Sequence, residues 1–234
     1  MVEAARAPDK HGLALRENEE IPVNVYFHIV AKGPKETDGY IPKAKVDEVM
    51  VILNDAYAPT PFRFTLLDTD WTINGSWHND YEGGDNDYAF KSVLRKGNYS
   101  DLNVYSLYDG NGGYAGYIFY DQGKTLAHEV GHWLGLLHTF EGNSCEGDGD
   151  YIDDTPYELP IYTIPHFENL QCPADLDTCP DQPGYDPIDN YMDYSKDECK
   201  NRFTPQHVTR MIDHWKTFRQ TTPPDNSEEH YGDY

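Results

Sequence analysis

Hydrophobic residues in the first half of the chain recur with two different periods. Residues 21–30 (IPVNVYFHIV) alternate, placing Val23, Val25, Phe27 and Ile29 on one side and Asn24, Tyr26 and His28 on the other. That is the period of a half-buried strand, and it makes His28 a strand side chain, not a metal ligand. Over 42–57 the apolar residues Val46, Val49, Met50, Leu53, Ala56 and Tyr57 fall at helical spacing, with Pro42 suited to the first turn. Residues 62–70 (FRFTLLDTD) and 102–108 (LNVYSLY) read as further strands, with a polar stretch at 74–87 between them that carries two turn-like Gly and Asp clusters. Strand, helix, strand, strand predicts an α/β upper lobe whose helix backs the sheet.

Downstream the pattern changes. Helical spacing returns over about 124–134, and again after Thr204, an N-cap followed by Pro205. The buried stripe of that last helix is Val208, Met211, Ile212, Trp215 and Phe218, which puts His207 and His214 on its more exposed faces. Between the two helices, residues 139–204 hold 7 of the 16 prolines, all four cysteines and many Asp and Gly residues, the composition of long ordered loops. Residues 1–20 lack periodicity and read as a flexible arm or the remainder of a processed pro-segment, and the polar stretch 221–234 as a disordered tail. At 234 residues one domain over 21–220 is expected, built from an upper lobe (about 21–138) and a lower lobe (about 139–220).

Charge narrows the function classes. A net charge of -23 repels nucleic acid and anionic lipid and attracts basic partners or divalent cations, so nucleic-acid binding is excluded. No run approaches the roughly 18 apolar residues of a membrane span, and the amino terminus has no apolar core of a signal peptide. Cys145, Cys172, Cys179 and Cys199 include no pair at the spacing of a zinc knuckle, so two disulfides and an oxidising, extracellular compartment are expected. Four cysteines allow three pairings.

The chemistry concentrates in His128-Glu129-Val130-Gly131-His132-Trp133-Leu134-Gly135-Leu136-Leu137-His138. On a helix, residues four apart share a face, so His128 and His132 can aim imidazole nitrogens at one ion. Were the helix to continue, His138 would lie about 15 Å along the axis from His128, so the chain must turn between them. Gly135 supplies the turn, because glycine takes positive φ without penalty. His138 then completes a three-His site for zinc that leaves the metal its full charge and a fourth position for water. Glu129, beside the first ligand and off the ligand face, is placed to act as general base and then general acid.

This pattern, together with HEVGHWLGLLHTF, GDYIDDTP, DPIDNYMDYSKDEC and FTPQHVTRM, resembles the pappalysin family of metzincin metalloproteases, most closely its secreted fungal and microbial members. The resemblance runs with gaps from residue 21 to about residue 219. It implies a secreted monomeric zinc endopeptidase acting on proteins or peptides. The implied fold is a twisted mixed sheet with active-site and backing helices above a loop-rich lower lobe, the zinc lying in a horizontal cleft. By the same likeness Met192 is the Met-turn methionine beneath the metal and Tyr194 bonds the oxyanion. The disulfides are implied to be crossed, Cys145 with Cys179 and Cys172 with Cys199. The acidic loop after the third ligand, with Asp148, Asp150, Asp153 and Asp154, reads either as a solvated loop or as a calcium site like those family members carry. Relatives selective for basic residues have an acid six positions beyond the methionine. Glu198 occupies that position, with Asp193 and Asp197 as alternatives, which implies Arg or Lys after the scissile bond. Residues 109–122 are shorter than the family's segment with its edge strand, which motivates a rival reading as a zinc-bearing binding module without turnover.

Overall fold

The computed structural model describes residues 20–78, 87–107, 122–169 and 171–220. The two terminal stretches read as arm and tail, and nearly all of segment 109–122, lie outside the described residues. Three strands, β1 (Ile21–Ala31), β2 (Phe62–Ile73) and β3 (Leu102–Leu107), form a sheet in the order β2-β1-β3. A mixed sheet was expected, but both pairings among the described residues are parallel. Parallel neighbours need crossovers, and the first is α1 (Lys43–Tyr57), entered through Pro42 in extended conformation. Its buried residues are Val46, Val49, Met50, Leu53, Ala56 and Tyr57, the stripe read from the spacing.

β1 departs from the half-buried strand that its alternation suggests. From Phe27 to Ala31 every residue is buried, because β1 is the central strand and is covered on both faces. On one face Val23, Val25, Phe27 and Ile29 join α1 in the main core. On the other, His28 is fully buried, stacked on Tyr105, with Nδ1 2.9 Å from Asp70 Oδ2 and Nε2 3.0 Å from Asn103 Oδ1. A helical turn, α2 (Gly75–His78), and α3 (Asp87–Leu94) lie in and beyond the stretch read as polar turns. Phe90 of α3 packs edge-on against Tyr105, and His78 of α2 places Nδ1 2.8 Å from the Val30 carbonyl oxygen. A short helix with one fully buried aromatic gives little periodic signal.

The zinc-motif helix is α4 (Thr125–Trp133), and the last is α5 (Pro205–His214) followed by a π-helical turn, Trp215–Arg219. One buried cluster joins the sheet, α1, Leu126, Ala127 and Val130 of α4, Met192, Met211 and Trp215, so the core crosses the boundary drawn near residue 138. Two side chains of α5 and its extension are corrected. His207 is buried, not exposed, because Thr204, Asp150 and Phe203 close over the first helical turn. Phe218 is exposed, because the wider π turn, closed by Gln220 N–H to the Trp215 carbonyl (2.8 Å), carries it off the buried stripe.

The loops of 139–204 are fastened by disulfides Cys145–Cys179 and Cys172–Cys199, closing 34 and 27 residues of sequence. At those loop lengths the loss of unfolded-state entropy stabilises the fold by about 3–4 kcal/mol per bridge.

Candidate active site

α4 is held at both ends by groups from the lower loops and α5. At its start, the Lys124 backbone N–H donates to Asp197 Oδ2 (3.0 Å), and the Lys124 ammonium donates to the carbonyls of Asp197 and Lys200 (2.7 Å each). A carboxylate there complements the positive end of the helix dipole. At its end the chain closes in a Schellman motif: Gly135 N–H donates to His132 O (2.8 Å) and Leu136 N–H to Gly131 O (3.0 Å). Gly135 has φ +86°. Two guanidiniums cover the exposed carbonyls beyond, Arg210 on Gly135 O (2.6 Å) and Arg219 on Trp133 O (3.1 Å), and Arg219 also lies 4.4 Å over the Trp133 ring.

The turn at Gly135 is stringent for a second reason, since a Cβ there would lie 2.4 Å from His214 Cδ2. Gly135→Ala therefore combines a left-handed backbone with an overlap, and should cost at least about 1–3 kcal/mol in denaturant unfolding. Unchanged stability would show that the turn tolerates a side chain.

With the turn made, His132 Nε2 lies 3.1 Å from both His128 Nε2 and His138 Nε2. His128 Nδ1 lies 2.7 Å from the Tyr191 carbonyl and His132 Nδ1 2.9 Å from the Leu136 carbonyl. A carbonyl only accepts, so both Nδ1 atoms carry the proton and both Nε2 atoms present lone pairs. Two lone pairs facing each other cannot hydrogen bond, but a cation between them satisfies both. Nitrogens about 2.0–2.1 Å from a tetrahedral zinc would be about 3.3–3.4 Å apart, close to the spacing here, so the donor set fits zinc. Burial, and then the repulsion that a protonated His132 would exert, hold the pKa of His128 well below the usual value and bring that of His138 down to about 4, which keeps these imidazoles neutral.

Met192 is fully buried directly under the helix, and a Cβ on Gly131 would lie 2.4 Å from its Sδ. Gly131 is thus the close approach that admits the methionine. The segment around Met192 is tied to the histidines: Tyr191 O accepts a hydrogen bond from His128 Nδ1–H, Met192 O accepts from Thr139 N–H (3.3 Å), and Asn190 Oδ1 accepts from Met192 N–H (2.9 Å). Tyr194 is 43% exposed, its ring 4.7 Å from that of His138 and 5.6 Å from that of His128, so it stands beside the three nitrogens with access to solvent. Glu129 is half-buried on α4 next to His128.

Other residues singled out in the sequence lie apart. The four acids of the loop have different surroundings. Asp148 and Asp153 are exposed, and Asp154 is used at the start of α5, accepting from Thr204 Oγ1 (2.5 Å) and Gln206 N–H (3.0 Å). Asp150 is buried with Oδ2 3.6 Å from His207 Nε2, and burial pushes its carboxyl up to about 6. Among the described residues, three or more ligand-type side chains converge only at the three histidines and at Cys172, Glu198 and Cys199, where both sulfurs are in the disulfide. Of the alternatives to Glu198, Asp197 is spent on α4 and Asp193 is fully buried.

Asp193 has a partner that periodicity could not reveal. Burial, followed by the charge of Asp193, pushes the carboxyl of Glu158 well above the carboxylate range. Both residues are almost fully buried, and each has an oxygen without a hydrogen-bond partner, so one retained proton relieves two like charges. A folded-state pKa raised above the unfolded value contributes stability that is present at low pH and lost as pH rises towards the raised value. Relative to Glu158→Gln, which cannot ionise, the wild type should lose stability between about pH 5 and pH 9. A difference that stays constant across that range would contradict the shared proton.

Residues 96–216 match the peptidase M43 family, described as pregnancy-associated plasma protein-A. An extracellular metalloprotease of Colletotrichum graminicola is 39% identical over 230 residues, spanning 85% of this chain and 78% of that protein. Extracellular metalloprotease 1 of Coccidioides posadasii is 41% identical over 230 residues, again 85% of this chain and 78% of that protein. In structure the chain is similar to Tannerella forsythia mature mirolysin in complex with a cleaved peptide, with a TM-score of 0.62 and 25% identity over 87% of this chain and 94% of that chain. With its three converging imidazoles, its family match and these relatives, the chain belongs to the peptidase M43 family and is a zinc metalloendopeptidase.

Proposed function

We propose that the protein cuts proteins or peptides at internal bonds, with His128, His132 and His138 holding zinc, Glu129 moving the proton and Tyr194 stabilising the oxyanion. The observation that carries this reading is the convergence of three imidazole Nε2 atoms, two of them with Nδ1 already bonded to a backbone carbonyl. Zinc, when bound, supplies Lewis acidity that lowers the pKa of a coordinated water and polarises the scissile carbonyl. Glu129 takes the proton from the attacking water and delivers it to the leaving amine. The Tyr194 hydroxyl donates to the carbonyl oxygen as negative charge develops on it. The backbone carbonyls of Tyr191 and Leu136 hold the first two imidazoles in the tautomer that leaves Nε2 free to ligate.

All of these groups come from one chain, which supports action as a monomer. Two disulfides and the extracellular relatives support an oxidising, extracellular setting. The expected preference for Arg or Lys after the cut rests on Glu198. Its carboxylate lies within 4.8 Å of both sulfurs of Cys172–Cys199, yet the side chain is exposed.

The test is hydrolysis of an internally quenched peptide by zinc-replete protein, with products mapped by mass spectrometry. Cuts at internal bonds are expected. An intact peptide would favour the binding module instead.

A further inference from the structure

The tripeptide Asn-X-Ser or Asn-X-Thr, with X other than proline, occurs twice in the chain, as Asn98-Tyr99-Ser100 and Asn74-Gly75-Ser76. So short a pattern carries weight only where the asparagine amide stands at the surface with its nitrogen unengaged. Both asparagines meet that condition. Asn98 is exposed in the turn before β3, where its Oδ1 accepts from the Ser100 N–H (2.8 Å). Asn74 is half-exposed just after β2, and its Oδ1 accepts from the N–H groups of Ser76 (3.0 Å) and Trp77 (3.2 Å). A backbone N–H only donates, so these contacts fix which side-chain atom is the oxygen and leave the other as the amide nitrogen. Among the described residues neither Nδ2 donates a hydrogen bond. A Cβ on Gly75 would have the Lys32 Cβ, at 4.0 Å, as its nearest contact, so the surface next to Asn74 is open.

We propose that Asn98 and Asn74 are acceptors of N-linked glycans. The inference rests on the extracellular reading of the chain and not on its peptidase activity, because this modification marks surface loops of proteins that pass through a eukaryotic secretory pathway. In the transfer, Nδ2 attacks the anomeric carbon of an oligosaccharide carried on a polyprenyl diphosphate. The N–C bond forms, the C–O bond to phosphate breaks, the diphosphate departs with the bonding electrons, and the amide gives up one proton to the transferase. The serine hydroxyls are read before the chain folds, and in the finished fold that of Ser100 donates to the Arg219 carbonyl. Replacing one hydrogen on Nδ2 leaves Oδ1 and its hydrogen bonds in place, so the sugars cost the fold none of these contacts. The acceptors lie towards opposite ends of the sheet: Ile73, beside Asn74, pairs with Ala31 at the end of β1, and Leu102, shortly after Asn98, pairs with Val25. At the end of β2 a hydrated glycan beside the exposed Ile73 would obstruct pairing by a second chain, since β2 has one strand neighbour among the described residues.

The test sends the full chain through the secretory pathway of a yeast behind an added signal peptide, and maps medium and cell lysate together by mass spectrometry. Peptide N-glycosidase turns a sugar-bearing asparagine into aspartate. Done in heavy-oxygen water, the reaction labels that aspartate and separates it from spontaneous deamidation at Asn74-Gly75. Label at both Asn98 and Asn74 is expected, with a fall in intact mass on enzyme treatment equal to both glycans. Ser100→Ala and Ser76→Ala should each remove one glycan. Either change keeps the backbone N–H that holds the asparagine, so the loss reports the missing hydroxyl and not a disturbed turn. Threonine at either position should retain the sugar. An asparagine that stays unlabelled, or a glycan that survives its Ser→Ala change, overturns the assignment of that site. Cleavage of a quenched peptide is followed on the same glycosylated protein. Labelled acceptors without cleavage would sink the peptidase reading and support the glycan sites, whereas cleavage by a chain with neither asparagine labelled would do the reverse.

Discussion

Glu129→Gln should lower kcat/KM on an internally cleaved peptide by about 10²–10⁴-fold, the usual worth of a positioned general base, while the chain keeps its zinc. The reasoning is local. Glu129 sits one residue after His128 on α4, whose residue spacing turns its side chain off the face shared by His128 and His132. Glutamine preserves the size and loses only the proton carrier, so metal content should be unchanged. The experiment pairs metal analysis with steady-state kinetics. Turnover within a few-fold of wild type would remove Glu129 from the mechanism, and loss of zinc would make it a ligand.

His138→Ala should act in the opposite order, abolishing metal retention first and activity only as a consequence. Of the three converging imidazoles, that of His138 comes from beyond α4, brought to 3.1 Å from His132 Nε2 by the Gly135 turn, and its ring is stacked on Phe140 at 4.8 Å. Removing it leaves two imidazoles, too few for a closed site. Zinc affinity should fall by more than the roughly 10–100-fold that loss of an outer-shell partner costs. Competition with a chromophoric chelator reads this directly. Unchanged stoichiometry and affinity would mean that another residue is the third ligand.

The parts of this site legible in the sequence are those in which function imposes a local spacing. His128 and His132 share a helical face, and the distance to His138 requires a turn that only glycine makes cheaply. The α1 stripe was legible for the same reason, since its helix packs one face against the sheet. What could not be read depends on partners distant in sequence. His207 sits at a position the helical wheel assigns to a polar face, and only the packing of Thr204 and Asp150 buries it. Arg210 and Arg219 bind carbonyls 75 and 86 residues away, so neither shows a short-range pattern. The acidic loop left a solvated loop and a calcium site both open, because composition records how many carboxylates are present and not where they point. Asp154 is drawn to the first turn of α5 and Asp150 to His207, partners more than 50 residues away in sequence. A residue's role among many acids in a chain of net charge -23 is therefore weakly specified by type alone.

The central claim is that one zinc, held by His128, His132 and His138, makes this chain an endopeptidase. Its most direct test is titration of metal-stripped protein with zinc, following bound metal and cleavage of an internal peptide bond in the same samples. Both should rise together and break at one zinc per chain. Cleavage that persists in the stripped protein, or zinc that binds at one per chain without any cleavage, would contradict the account.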